Sequence, residues 1–578
     1  MSFTPTGFGA TIFSQRYALN GTETWLEMAR RTAGLVASCE DNGKIKEYSD
    51  RFYEIIADGL FMPGGRICYA AGRPKGQMLN CFVLPTSDSR EGWAQTASDS
   101  LIVSGTGGGV GINCSPIRPR GSVIKGHAGK ATGAVSLMEI INAIGEVIRA
   151  GGGRRTALML CLNHDHPDIP EFLDKKLDLG KLNNANVSVV FQNEDPNVFL
   201  KKVENDEVHE FVWNGQVNAT MPARELWRKI LENAVQCGEP GILNGYLANQ
   251  MSNIWYHKPL ISTNPCGEIW LEAYGCCDLG ALVLSRFVQD GRLDKRRLAR
   301  VISLAVRFLD NVLDVNTYPL AAIEENCKQV RRLGLGVMGL HDMLIKLGMK
   351  YTSDQAKEYV DGLFHFIKKK AYEASIYLAV EKGQFPALDR HKFVESGFCK
   401  SALSEGMRER IVENGIRNCA TMTIAPTGTT AMAECVSPSL EPIPAIAYWR
   451  NYRSGDGLAK ELIEHPLFTE LRDTPYAKLF ESACDIPVKD HIEMQAICQR
   501  HVDNAISKTI NLPKSYTGAD LDPLLRKHVS SLKGVTLYRD GSRGDSPIES
   551  LSVEEIQALS CPRGACEIEE SVQIAQGG

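Results

Sequence analysis

Short apolar runs of strand length alternate with helical stretches along most of this chain. Residues 78–85, 156–162, 418–424 and 535–543 read as strands, the last with a turn. Residues 134–149 carry Val135, Leu137, Met138, Ile141, Ile144, Val147 and Ile148, an apolar stripe wide enough for a helix buried on two sides, as at a subunit contact. Further helices are predicted over residues 90–104, 222–237, 293–315, 338–348 and 354–382. Strands and helices in turn favour a parallel α/β arrangement, because a parallel pair needs a long crossover. Residues 1–75 differ: they read as a small helical region, with Trp25, Met28, Ala29, Ala33 and Val36 on roughly one face. Residues 76–545 form the main domain, and the loop-like, acidic residues 546–578 a flexible tail.

A chain of 578 residues accommodates several ordinary domains or one large barrel with additions. Its formal net charge of -5 excludes broad attraction to nucleic acid or membranes, so an anionic substrate has to be held by local groups. No apolar run approaches a membrane span and no signal-peptide pattern is present, so a cytoplasmic protein is expected. Seventeen cysteines, an odd number spread along the chain, do not make a disulfide scaffold. Most are expected to be buried thiols, with Cys561 and Cys566 the best local candidates for a redox pair.

Residues 262–268 put an amide, a thiol and a carboxyl group on alternate positions, Asn264, Cys266 and Glu268. In extended backbone all three point to one side. A carboxylate beside a thiol opposes thiolate formation, so the thiol is suited to exchange a hydrogen atom while the carboxylate handles a proton. The plainer reading is a polar turn with a buried cysteine. Residues 105–111 are glycine-rich yet match neither a dinucleotide fingerprint nor a P-loop, which leaves close backbone packing. Asp88 reads as a helix N-cap, and Arg118, Arg120 and Lys125 lie in a loop after it, placed to hold a phosphate. Residues 164–168, with two histidines and two aspartates, read as a turn into a helix, and no metal site is expected. The hydroxyls and glycine of residues 425–433 form a natural phosphate seat.

Seven blocks run in one order: Asn80-Cys81-Phe82-Val83-Leu84, residues 107–115, Gly152-Gly153-Arg154-Arg155, Asn264-Pro265-Cys266-Gly267-Glu268, Cys277-Asp278-Leu279-Gly280-Ala281-Leu282, Ala425-Pro426-Thr427-Gly428-Thr429 and Tyr538-Arg539-Asp540-Gly541-Ser542-Arg543. Together they resemble the catalytic chain of ribonucleotide reductase over residues 60–545. The match is closest to the adenosylcobalamin-dependent class. Tyr538 has no adjacent tyrosine to relay a radical from another subunit, and neither a glycyl-radical motif nor an ATP-cone domain is recognised.

The resemblance implies a ten-stranded α/β barrel of two parallel five-stranded halves, with a central finger loop carrying Cys266. A thiyl radical on Cys266 would take the ribose 3′ hydrogen, Glu268 the 3′-hydroxyl proton, and Asn264 would bind the sugar hydroxyls. Cys81 and Cys277 would supply two electrons and end as a disulfide. Cys276 adjoins Cys277, and the Cys-Asp-Leu-Gly pattern favours Cys277. Cys561 and Cys566 would shuttle electrons from thioredoxin or a similar reductant. Asn80, Pro426, Thr427, Gly428, Thr429 and Thr430 would bind the ribonucleotide, a diphosphate by analogy. Asp88, Arg118 and Lys125 would bind a deoxynucleoside triphosphate or ATP effector, and Gly152, Gly153, Arg154 and Arg155 would relay its identity. The helices within residues 88–155 would pair in a homodimer. Adenosylcobalamin would be the cofactor, with no histidine nominated as a cobalt ligand. The alternatives are a large subunit fed by a separate radical subunit, a non-catalytic nucleotide-binding regulator, and a plain dithiol oxidoreductase.

Overall fold

A computed structural model describes residues 2–124, 129–150, 154–177, 182–454, 457–540 and 548–551. Lys125, Gly152, Gly153, Cys561, Cys566 and the side chains of Arg154 and Arg155 lie outside what is described.

Three helices open the chain: α1 (Gly7–Arg16), α2 (Trp25–Ala37) and α3 (Ile45–Ala57). A capping box of Thr24 and Glu27 starts α2, and the predicted stripe from Trp25 to Val36 is its buried face. These helices are docked on the main body. Phe308 meets Phe52 of α3 at 5.3 Å and Phe61 at 5.4 Å, edge-on contacts worth about 0.5–1.5 kcal/mol each beyond burial. The buried Arg307 guanidinium bridges Glu40 and Glu381.

The main sheet is built on five parallel neighbours in sequence order: β2 (Cys81–Val83), β3 (Gly109–Asn113), β4 (Leu158–Asn163), β5 (Ala185–Phe191) and β6 (Gly241–Asn244). β1 (Phe61–Pro63) lies in a second sheet. β4 is buried at every position, as expected of a parallel strand covered on both faces. Next comes a hairpin, β7 (Ser262–Thr263) with β8 (Trp270–Leu271). It is followed by β9 (Cys276–Cys277), β10 (Leu279–Val283) and β11 (Gly334–Met338), then β12 (Thr509–Leu512) and β13 (Gly534–Arg539). β9 runs antiparallel to β2, β13 antiparallel to β6, and β12 parallel to β13. The second sheet orders β1, β10 and β11, with β10 and β11 parallel.

Residues 418–424, predicted as a strand, make only two parallel bridges there, Leu335 to Met422 and Ile424 to Ile506. The reason is a side chain in the ladder: the Asp503 carboxylate accepts from the amides of Thr421 at 2.7 Å and Met422 at 2.8 Å. The predicted helices are present as α4 (Arg90–Gly105), α5 (Ala134–Val147), Ala223–Cys237, α6 (Lys295–Val315), Leu340–Lys346 and α7 (Asp354–Lys382). α5 ends short of residue 149 because Ile148 turns extended and Arg149–Ala150 pairs with Arg154–Arg155. Among the described residues no helix is long and apolar enough to cross a membrane.

Candidate active site

Two bare positions on β3 decide where the hairpin lies. A Cβ at Gly111 would come 1.8 Å from the Thr263 carbonyl oxygen, and one at Gly109 would meet Pro265 at 2.9 Å and the Cys81 sulfur at 3.2 Å. The glycine-rich segment thus serves close backbone packing, letting the hairpin β7–β8 rest directly on the sheet. Its tip is not extended, which corrects the alternate-residue argument. The Gly267 amide donates to Asn264 O at 3.0 Å, the Asn264 amide to Ile269 O at 3.2 Å, and Gly267 takes φ 78°. Pro265 offers no amide to a ladder and Gly267 tolerates the left-handed region, so the chain reverses here. Cys266 stands half-buried in that turn, while Asn264 and Glu268 are buried at its base.

Beneath the tip, β9 pairs with β2 so that Cys277 lies opposite Cys81. Opposed residues of a strand pair share a face. The Cys277 sulfur lies 3.9 Å from Glu268 Oε1. Cys276 points to the other face and meets Cys327, sulfur to sulfur 2.7 Å. The structure therefore brings Cys277 to Cys81, as the Cys-Asp-Leu-Gly pattern favoured. Burial pushes the Glu268 carboxyl from 4.5 up to about 7, against the smaller pull of Asn264, its own backbone and Cys277. Burial, then Cys81 and the Glu268 charge, hold the Cys277 thiol protonated well above its ordinary range. Glu268 Oε2 and Asn264 Nδ2 are buried with no hydrogen-bond partner among the described residues. Two buried polar atoms left unpaired at one place cost stability unless a ligand completes them.

A cavity of about 100 Å³ is lined by Tyr17, Gly64, Gly65, Asn80, Pro426, Thr427, Thr429 and Thr430, and among the described residues no lysine or arginine lies in its wall. Thr427 precedes the short helix α8 (Gly428–Ala433), and Thr430 Oγ1 donates to Thr427 O at 2.7 Å. The Asn80 amide donates to Cys277 O at 3.1 Å, which ties this cavity to the thiol pair. Tyr17 was missed: nothing in the pattern of residues 1–75 distinguishes it from a core tyrosine.

Asp88 does not cap α4. Ser89 does, accepting from Gly92 N, and Asp88 instead pairs with Arg118, carboxylate to Nε 2.8 Å and to the Arg118 amide 3.1 Å. Arg120 turns away to Glu171. Residues 164–168 form a turn before Ile169–Lys175, and Asp168 accepts from Ala134 N at 2.8 Å, at the first residue of α5. Among the described residues no group of three His, Cys, Asp or Glu could hold a metal ion.

A family model described as ribonucleotide reductase, barrel domain, matches residues 79–538, and one described as ribonucleotide reductase, all-alpha domain, matches residues 3–76. The vitamin B12-dependent ribonucleoside-diphosphate reductase of Mycobacterium tuberculosis (strain CDC 1551 / Oshkosh) is 33% identical, over 95% of this chain and 81% of its own. The protein of the same name from Thermoplasma acidophilum is 34% identical over 86% of this chain and 66% of its own. The large subunit of ribonucleoside-diphosphate reductase from Caenorhabditis elegans is 28% identical over 81% of this chain and 67% of its own. With both family models in sequence over nearly the whole described chain, this protein belongs to the ribonucleotide reductase family as a large chain.

Proposed function

We propose that this chain is an adenosylcobalamin-dependent ribonucleoside-diphosphate reductase. The observation that carries the reading is the Cys81–Cys277 pair facing Glu268 beneath Cys266. In outline, one ribonucleoside diphosphate and two thiols give one deoxyribonucleoside diphosphate, one disulfide and one water. Cys266 takes and returns the 3′ hydrogen. Asn264, through its unpaired amide nitrogen, binds the sugar hydroxyls. Glu268 accepts the 3′-hydroxyl proton. Cys277, held protonated, gives its proton to the departing 2′-hydroxyl, and Cys81 completes the disulfide. Thr427, Gly428, Thr429 and Thr430 hold the phosphates through hydroxyls and amides, and Asn80 and Pro426 bind substrate as part of the same cavity wall.

The residues around Cys266 fit a corrin. A macrocycle brings its own nitrogen ligands, so it needs no cluster of protein donors. Beside the thiol the side-chain position of buried Gly267 is unfilled: a Cβ there would be in ordinary contact with Leu243 at 4.0 Å and clash with nothing. Gly267, Leu243 and Gly534 would form that floor. When bound, the cofactor supplies the radical that activates Cys266.

We read the two sheets as one closed ten-stranded barrel. The halves would be β2 to β6 on one side, and β9–β10, β11, residues 421–424, residues 505–512 and β13 on the other. The antiparallel joins of β2 with β9 and β6 with β13, and the two bridges at Met422 and Ile424, support this. The finger hairpin would sit inside. We keep the division into residues 1–75, 76–545 and 546–578, with one correction: Ile548–Leu551, expected in the loop-like tail, forms a strand that pairs antiparallel with residues 447–450. Asp88 and Arg118, already paired, would form the effector site with Lys125, and residues 152–155 would link it to the substrate base. Exposed Leu101 and Ile102 on α4 and Ile140 and Val147 on α5 suit a homodimer contact there. Buried thiols such as Cys68, Cys114 and Cys161 stand outside any disulfide, which suits a reducing cytoplasm.

The test is anaerobic reduction of CDP and CTP with dithiothreitol, with and without adenosylcobalamin. Turnover that depends on the cofactor and prefers CDP is expected. Turnover only with a separate radical subunit would overturn the cofactor assignment. Nucleotide binding without turnover under either condition would overturn the enzyme reading. Replacing both Cys561 and Cys566 by serine is expected to cut thioredoxin-driven turnover at least about tenfold while dithiothreitol-driven turnover stays within twofold. Equal loss with both reductants would remove the shuttle role.

A further inference from the structure

The nucleotide cavity has one wall that comes from outside the barrel motifs. Tyr17 follows α1 and is 2% exposed. Its hydroxyl lies 2.5 Å from Thr429 Oγ1. Its ring covers Gly65, where a Cβ would come 2.9 Å from Tyr17 Cε1. The neighbouring backbone is fixed: Arg31 Nη2 donates to Tyr17 O at 3.5 Å, and Arg73 Nη2 donates to Leu19 O at 2.9 Å. The hydroxyl is therefore in place before any nucleotide arrives, so little ordering is needed on binding.

Among the described residues no lysine or arginine lines this cavity, so the donors they offer an anion are neutral, and each such donor matters. A phosphate oxygen entering beside Thr429 meets a pair of hydroxyls. The pair can donate in relay, one hydroxyl to the other and that one to the phosphate. The phenol is the more acidic of the two, which makes it the better donor. We propose that Tyr17 is a substrate-binding residue whose hydroxyl, together with that of Thr429, donates to a phosphate of the ribonucleotide. This rests on reading residues 427–430 as the phosphate seat. It gives the N-terminal helical region a direct part in holding substrate.

The test is Tyr17→Phe in the full chain, assayed with adenosylcobalamin and dithiothreitol, beside Thr429→Val. Loss of one hydrogen bond to a charged group is expected to raise KM for CDP about tenfold. In Tyr17→Phe, kcat stays within about twofold, because the chemistry is elsewhere, and Tm falls only slightly, because the ring remains and one hydrogen bond, to Thr429, is lost. Competitive inhibition by cytidine, which has no phosphate, is unchanged. If CDP and cytidine weaken together, Tyr17 acts through packing and the proposal falls. If Thr429→Val weakens CDP but Tyr17→Phe does not, the seat stands and Tyr17 is not part of it. If neither variant affects CDP, the seat itself is misplaced and the proposal goes with it.

Discussion

Cys266→Ser is expected to lower dCDP formation at least about 10⁴-fold, a barrier increase of about 5 kcal/mol, while CDP binding stays within about twofold. The reason is bond strength. A sulfur–hydrogen bond and an activated sugar C–H bond are close enough for reversible exchange, whereas an alcohol O–H bond is much stronger and the oxygen gives no usable radical. Binding survives because the phosphate seat, residues 427–430, lies on a different element from the hairpin tip. Folding survives because Cys266 is only half-buried, and substitutions at such positions usually cost under about 1 kcal/mol. Chromatographic detection of dCDP beside equilibrium dialysis of CDP checks both halves. Product at even one hundredth of the wild-type rate would remove Cys266 from the hydrogen-transfer step.

Much of this site was legible before the fold was known, though partly for the wrong reason. Strand alternation groups Asn264, Cys266 and Glu268 on one side, yet Pro265 and Gly267 reverse the chain between them. Local periodicity cannot distinguish those two geometries over five residues. The glycines of residues 105–111 were correctly assigned to close packing, but their partner, Thr263, lies far along the chain. Asp88 illustrates the opposite failure: Ser89 competes for the same cap, and the longer-range partner Arg118 decides the matter. Residues 418–424 carry a strand's composition, but a carboxylate from Asp503 takes over two ladder positions. Tyr17 had no local signal, because its meaning depends on Gly65 and Thr429, distant in sequence.

Glu268→Gln is expected to lower kcat about 10²–10⁴-fold, the usual worth of a positioned base, and to flatten the pH profile. Burial, the largest influence on this carboxyl, places it at about 7, well above its ordinary 4.5. The sign follows directly. Below about pH 7 the group is protonated and cannot accept the 3′-hydroxyl proton, so wild-type kcat should fall about tenfold per pH unit on the acid side. Above about pH 7 it is ionised and the rate should level off. The Cys277 thiol adds no alkaline fall, because burial and the Glu268 charge keep it protonated well above the ordinary 9.0. Two other buried groups also come to about 7, Glu434 against Arg286 and Lys533 within the core. Neither touches the Cys81–Cys277 pair, so neither should control the acid limb. The glutamine variant separates these cases, since it keeps the shape of the side chain and removes only its titration. Measured from pH 5.5 to 9, a residual rate in Glu268→Gln that no longer depends on pH assigns the limb to Glu268. A residual rate that keeps the same inflection near pH 7 would assign it to another group and leave Glu268 without its role as base.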